Sequence, residues 1–187
     1  MAMSETEHAP PGETVRARAA RMLRVDHAGE VAAKRIYQGQ LAVLKQQPRA
    51  QASSALIEEM AAKEATHLAA FDRMIVERRV RPTALGPLWD IASYGLGVAS
   101  ALLGERAAMA CTVAVEEVIC EHYQQQIKDL GTDDRELSTL IAQFHDDEMA
   151  HRETALASGA ALAPAYRPMS EIIKAGCRIA IKLSERI

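Results

Sequence analysis

Glu64-Ala65-Thr66-His67 and Glu148-Met149-Ala150-His151 are the two stretches whose reading decides the fold. Residues three apart share one face of a helix, so each pair points the same way. The surrounding residues say which way that is. One stripe reads Ile57, Met60, Glu64, His67, Phe71, Met74, and the other reads Leu137, Ile141, Phe144, Glu148, His151, Ala155. Steps of alternately three and four residues mark the buried seam of a helix bundle. Two more seams of this kind run through Leu23, Asp26, Glu30, Ala33, Tyr37, Leu44 and through Met109, Val113, Glu116, Cys120, Tyr123, Ile127, Leu130. In all four, acids or histidines stand where leucine belongs.

The chain repeats itself. Glu30 is followed at seven and ten residues by Tyr37 and Gln40, and Glu116 by Tyr123 and Gln126 at the same distances. The two Glu-x-x-His pairs begin 34 and 32 residues after those glutamates. Each is followed by two prolines (Pro82 and Pro87; Pro164 and Pro168) and an apolar segment. The expected architecture is therefore all-α: a ferritin-like four-helix bundle with two additional apolar or amphipathic helices, internally duplicated. Helices are expected at 15–46, 50–80, 88–102, 106–130, 133–159 and 169–185, with Thr132-Asp133 starting the fifth and Glu136 as a box-like partner. Residues 1–14 read as a flexible tail and 15–187 as a single domain.

One Glu-x-x-His means little, since chance gives roughly half a match in a chain with this many glutamates and histidines. Glu5-x-x-His8, outside every stripe, is such a decoy. Two copies in core register, each paired with another seam glutamate, are a different matter. Buried carboxylates without counter-charge cost several kcal/mol each, and no lysine or arginine lies on these seams. Two divalent cations would balance Glu30, Glu64, Glu116 and Glu148, with neutral His67 and His151 completing the shell. A carboxylate-rich set with two imidazoles suits iron or manganese; zinc takes more nitrogen or sulfur. Glu117 competes with Glu116, but the seam and the spacing to Tyr123 select Glu116. Asp26 has two open readings, holding a ligand by hydrogen bond or pairing locally. His122 and His145 read as solvated or outside the ligand set. Tyr37 and Tyr123 read as core aromatics that could donate a hydrogen bond near the centre, and Tyr123 is the candidate catalytic side chain beyond the ligands.

The 187 residues carry 22 Lys+Arg against 25 Asp+Glu, a net charge of -3 that excludes a basic nucleic-acid footprint. The three cysteines form no CxxC pair, against both a disulfide framework and a cysteine zinc site. The opening residues carry acids and no apolar run, unlike a signal or transit peptide, which leads to the expectation of a cytoplasmic chain. The uncharged stretch Ile91–Gly104 is shorter than the ~20 residues a bilayer span needs. Two readings of it stay open: a buried core helix, with the Lys174, Arg178 and Lys182 row of the C-terminal helix a solvated face opposite Ile172, Ile173, Ile179, Ile181 and Leu183; or both segments lying on an anionic bilayer, apolar side in and those cations at the headgroups. Arg78, Arg79 and Arg81 precede the stretch.

The motifs RVDHAGE (24–30), RIYQGQ (35–40), KEATHL (63–68), VRPTALGPLW (80–89), MACTVAVEE (109–117), EHYQQQI (121–127), DDEMAHRE (146–153), APAY (163–166) and AGCRIAIKLSERI (175–187) resemble those of the demethoxyubiquinone hydroxylases. The resemblance runs from about Arg21 to the C-terminus. It implies a di-iron monooxygenase of ubiquinone biosynthesis in which Glu30, Glu64, His67, Glu116, Glu148 and His151 hold two iron ions, with Glu64 and Glu148 bridging. It implies hydroxylation of a 2-polyprenyl-3-methyl-6-methoxy-1,4-benzoquinol with O2 and an external two-electron donor, NADH being one candidate. It also implies peripheral attachment to the cytoplasmic face of the inner (cell) membrane, and ubiquinone-biosynthesis proteins as partners. Competing classes are another ferritin-like di-metal oxidase and a non-enzymatic lipid-binding subunit of a quinone-biosynthesis complex. Metal analysis and quinone binding separate these.

Overall fold

The structure, a computed structural model, describes residues 12–187. Residues 1–11 of the segment read as a tail lie outside the described residues; Glu13 already grips Arg21 through two hydrogen bonds, and Thr14 caps the first helix by accepting from the Ala17 N–H. Six helices follow: α1 (Val15–Leu44), α2 (Gln51–Arg78), α3 (Gly86–Leu102), α4 (Glu105–Leu130), α5 (Arg135–Ala157) and α6 (Tyr166–Ser184), with single 3-10 turns at Pro48–Ala50 and Ala160–Leu162. The fold is all-α and ferritin-like, and no strand occurs among the described residues.

Where boundaries depart from expectation, the reason is local. Pro87 and Pro168 sit inside the first turns of α3 and α6 rather than before them, since a first-turn N–H has no intrahelical acceptor to lose. The cap of α5 is Asp134, which accepts from the Leu137 N–H at 3.1 Å; Asp133 instead pairs with Arg18, and Glu136 with Arg78. The expected Thr132-Asp133 start and box are thus displaced, because Arg78 at the end of α2 fixes Asp134 and Glu136 together. Helix α2 stops at Arg78, where Arg79 turns left-handed (φ 53).

Helices α1, α2, α4 and α5 form the bundle. Its seams behave as the stripes require, with Leu23, Leu44, Ile57, Phe71, Met109, Leu137 and Ile141 fully buried. Two apolar plugs close it. Tyr37, Leu44, Ile57, Met60, Met109 and Val113 belong to one, and Leu23, Phe71, Met74, Tyr123, Leu137 and Phe144 to the other. On every helix the acids and histidines fall between the plugs, so the polar centre is sealed from both ends.

The duplication is visible in the packing: α3 lies on α1 as α6 lies on α4. The first contact is backbone against backbone. A Cβ on Gly97 would stand 2.1 Å from the Ile36 carbonyl oxygen, and one on Gly39 2.4 Å from that of Tyr94. Only glycines allow α1 and α3 so close. The buried-helix reading of Ile91–Gly104 does not hold: Gly97, Ser100 and Ala101 are buried, while Ile91, Leu102 and Leu103 are exposed. The basic row of α6 is only partly a solvated face: Arg178 meets Glu121 of α4 in the open, while Lys174 is drawn onto Glu117 of the same helix. Arg78 is likewise engaged, with α5. The apolar row of α6 splits, Ile173 turning in and Ile172, Ile179 and Leu183 out. No helix among the described residues is long and apolar enough to cross a membrane.

Candidate metal centre

Six side chains from four helices converge between the plugs: Glu30 from α1, Glu64 and His67 from α2, Glu116 from α4, Glu148 and His151 from α5. All are 1–3% exposed. They fall into two groups, Glu30, Glu64, His67, Glu148 and Glu64, Glu116, Glu148, His151, each with ligand atoms within 4.8 Å of one another and each able to hold one ion. Glu64 and Glu148 belong to both. His67 Nδ1 lies 3.1 Å from Glu148 Oε1 and 3.6 Å from Glu30 Oε2, and His151 Nδ1 lies 3.0 Å from both Glu64 Oε1 and Glu148 Oε2.

The donor set fits a pair of cations. Glu30 Oε2, both oxygens of Glu64, His67 Nδ1, Glu116 Oε2 and Glu148 Oε1 are buried without a hydrogen-bond partner. Buried polar atoms are almost always satisfied, and a metal ion at each group is a partner these atoms could share. Electrostatics agree. Burial, then the charges of neighbouring carboxylates, push Glu30 and Glu116 well above the ordinary glutamate value. Burial opposes the charge on His67, yet Glu148, Glu30 and Glu64 outweigh it and push the imidazole up to about 12; His151 rises to about 9 in the same way. Burial also raises Glu64, but His151 and His67 pull it down to about 2. These shifts all favour protons on the cluster as a cover for its negative charge, and divalent ions, once bound, would take over that balance by displacing them.

Around the cluster the duplication recurs as a crossed pair. Tyr123 of α4 donates to Glu30 Oε1 of α1 at 2.6 Å, and Tyr37 of α1 donates to Glu116 Oε1 of α4 at 2.7 Å. Burial, then the adjacent carboxylates, raise both phenols well above 10 and keep them donors. Asp26 takes the local-pairing reading: it accepts from Gln126 at 2.8 Å and faces His122 at 3.5 Å, both on α4, and makes no hydrogen bond to the six. His122 also meets Gln126, and His145 is buried with Nδ1 3.6 Å from Asp146 Oδ1 and belongs to neither ligand group. Glu117 points off the seam to Arg152 and Lys174. His27 pairs with Asp72. Sequence reading missed Asp147, whose Oδ2 lies 3.2 Å from His67 Nε2 while Lys63 holds its other oxygen at 2.7 Å. Asp146 and Asp147 look alike in the sequence, and only the facing of α5 towards α2 separates them.

On the other side of α1 and α4 lies an apolar cavity of about 360 Å3, walled by Val25 and Ala32 of α1, Trp89 of α3, Val118 of α4 and Ile173 and Ile181 of α6, among others. Ala28, Gly29, Ala32 and Ala33 keep the α1 wall thin where Glu30 stands behind it.

The profile of the family described as ubiquinone biosynthesis protein COQ7 matches residues 17–184. The chain belongs to the COQ7 family. It is 51% identical over 167 residues to the 3-demethoxyubiquinol 3-hydroxylase of Rhodospirillum rubrum, covering 89% of this chain and 77% of that protein. It is 48% identical over 176 residues to the mitochondrial NADPH-dependent 3-demethoxyubiquinone 3-hydroxylase of Homo sapiens, covering 92% and 79%. The corresponding protein of Dictyostelium discoideum is 51% identical over 173 residues, covering 89% and 76%. The resemblance read from the motifs thus extends along nearly the whole chain, and this COQ7 member is an enzyme of the hydroxylase kind. The matched span contains all six converging side chains, the crossed tyrosines and the cavity.

Proposed function

We propose that the chain is a membrane-associated di-iron monooxygenase that hydroxylates the ring of a 2-polyprenyl-3-methyl-6-methoxy-1,4-benzoquinol, with O2 and two electrons, in ubiquinone biosynthesis. The observation that carries the reading is the pair of buried ligand groups sharing Glu64 and Glu148, set behind an apolar cavity in a COQ7 chain. Glu30, Glu64, His67, Glu116, Glu148 and His151 hold the metal, residues 15–187 forming one domain around it. When bound, a pair of iron ions would supply the redox chemistry that couples two electrons, two protons and O2 to the transfer of one oxygen to the ring and the release of the other as water.

The chain's own residues do the rest. The four carboxylates balance the metal charge, and the plugs on either side keep bulk water from the centre. Tyr37 and Tyr123 hold one oxygen of Glu116 and of Glu30, leaving the other oxygen free to turn inward. The cavity between α1, α3, α4 and α6 takes the greasy part of the substrate, with Trp89 and Ile181 among its walls. Leu88, Ile91, Ile172 and Ile179 of α3 and α6 present the apolar face that rests on an anionic bilayer at its cytoplasmic side, where such a substrate resides. The electron donor is a reduced nicotinamide: the relatives from Dictyostelium discoideum and Homo sapiens are named NADPH-dependent, and NADH is the candidate that the motifs raised. Other ubiquinone-biosynthesis proteins would dock to the same assembly.

The test is reconstitution. Protein loaded anaerobically with ferrous iron is reduced, then given O2 and a short-tail demethoxyquinol, and products are weighed by mass spectrometry. A product heavier by one oxygen, absent without iron, is expected. Iron-loaded, reduced protein that binds the quinol but leaves its mass unchanged refutes the reading in favour of a lipid-binding subunit. Sedimentation with anionic liposomes, lost in Ile91→Glu/Ile172→Glu, tests the membrane part.

A further inference from the structure

The repeat relates the two halves of the centre, so the places where they differ are informative. The tyrosine contacts are matched on both sides, at 2.6 and 2.7 Å. The histidines are not. His67 Nε2 meets Asp147, and its ring stacks on Phe144 with centroids 3.9 Å apart at 27°. His151 Nε2 is buried with no hydrogen-bond partner among the described residues, and its ring has an edge contact with Tyr37 at 6.5 Å. The repeat locates the cause. The residue directly before each Glu-x-x-His is Asp147 in one copy and Lys63 in the other. Instead of a second carboxylate that would serve His151, the first copy supplies a cation, and that cation reaches across from α2 to hold Asp147.

We propose that Asp147, held by Lys63, is a positioning residue that makes the two metal positions unequal: the one built from Glu30, Glu64, His67 and Glu148 fills first and more tightly than the one built from Glu64, Glu116, Glu148 and His151. The proposal rests on the di-metal reading above. An acceptor on Nε2–H fixes the tautomer that leaves the Nδ1 lone pair facing the carboxylates, and it raises the basicity of that nitrogen. The Phe144 stack holds the ring plane, so less ordering is required when the ion arrives. His151 has neither aid. Since the tyrosine–glutamate contacts match and the bridging pair is shared, the difference between the positions falls on the histidines.

The experiment is calorimetric binding of Co2+ to the metal-free full chain under anaerobic conditions, with the visible spectrum of the bound ion followed in parallel. Wild type is expected to show two steps. Asp147→Asn weakens the tighter step about 10–100-fold and leaves the looser one in place. Lys63→Met weakens the same step by less than about fivefold, as suits a half-exposed ion pair. Asp146→Asn, beside it but 87% exposed at the side chain, changes neither step and controls for lost charge. His151→Ala keeps the tighter step and loses the looser one, and His67→Ala does the reverse, so the inequality is still tested should the Asp147 variant fail to fold. Two equal steps in wild type, or an Asp147→Asn variant in which both weaken alike, overturns the proposal while leaving the di-metal reading standing. No Co2+ bound at all sinks that reading itself.

Discussion

Alanine at Gly97 and alanine at Gly95 are the same chemical change two residues apart on one helix, and the structure gives them opposite signs. Replacing glycine by alanine inside a helix stabilises by roughly 0.8–1 kcal/mol. At Gly95 a new Cβ meets nothing within 4 Å, so Gly95→Ala should realise most of that gain. At Gly97 it would sit 2.1 Å from the Ile36 carbonyl oxygen and 2.9 Å from its carbon. Those are backbone atoms in the middle of α1, which no rotamer change can move. Relief needs α3 to withdraw by about 1 Å, and overpacking of this kind costs about 1–3 kcal/mol. Net of the helix gain, Gly97→Ala should lose up to about 2 kcal/mol, a fall in Tm of up to roughly 8 °C for a chain this long. Urea and thermal unfolding followed by circular dichroism measure both variants. Because α3 walls the cavity but not the cluster of acids, Gly97→Ala should raise KM for the quinol and keep the metal stoichiometry of wild type. If Gly97→Ala stabilises like Gly95→Ala, the close approach of α1 and α3 is wrong. If it sheds metal, the separation of cavity and centre is wrong.

Three further outcomes are expected. Asp134 caps α5 and is gripped by Arg78; burial works against its charge, but the Arg78 hydrogen bonds win and hold the carboxyl below the ordinary 3.8. Its contribution is therefore complete above the unfolded-state value and disappears as pH falls through the lower folded-state one. Asp134→Ala should cost about 1–3 kcal/mol at pH 7, with the gap to wild type closing in acid, read by urea midpoints across pH. Saturating Fe2+ or Co2+ at about 100 times Kd should raise stability by about 2.7 kcal/mol per site, so a chelator should lower Tm; an unmoved Tm speaks against a resident ion. Phe71, fully buried in the plug beside His67, should cost about 3–5 kcal/mol as alanine, and calorimetry showing under 1 kcal/mol would deny that plug its role.

The side chains of the centre were legible because a helix converts spacing into facing. Once Glu64 and His67 lie in step with Ile57 and Phe71, they must point where those residues point, and four such seams in one chain have a single common interior. The duplication was legible for the same reason, as equal spacing from Glu30 to Tyr37 and from Glu116 to Tyr123. The crossing of those tyrosines was not, since each reaches the glutamate of the other helix, and a spacing along one helix says nothing of its neighbour. Asp147 escaped for a related reason: it lies off its own seam and becomes important only because α2 passes beside it. The basic row of α6 looked like a solvated or headgroup face, and the structure turns part of it onto Glu117 and Glu121.

By itself, then, the order of residues determined six helices, the four that form the bundle, and the acids and histidines that face one another inside it. Periodicity and proline placement are local properties, and helix geometry carries them directly into space. Tertiary structure alone decided that α3 rests on α1 through Gly39 and Gly97, that an apolar cavity opens behind Glu30, and that His67 receives a carboxylate while His151 receives none. These are relations between helices far apart in the chain, fixed by how whole surfaces fit together rather than by any spacing along one of them.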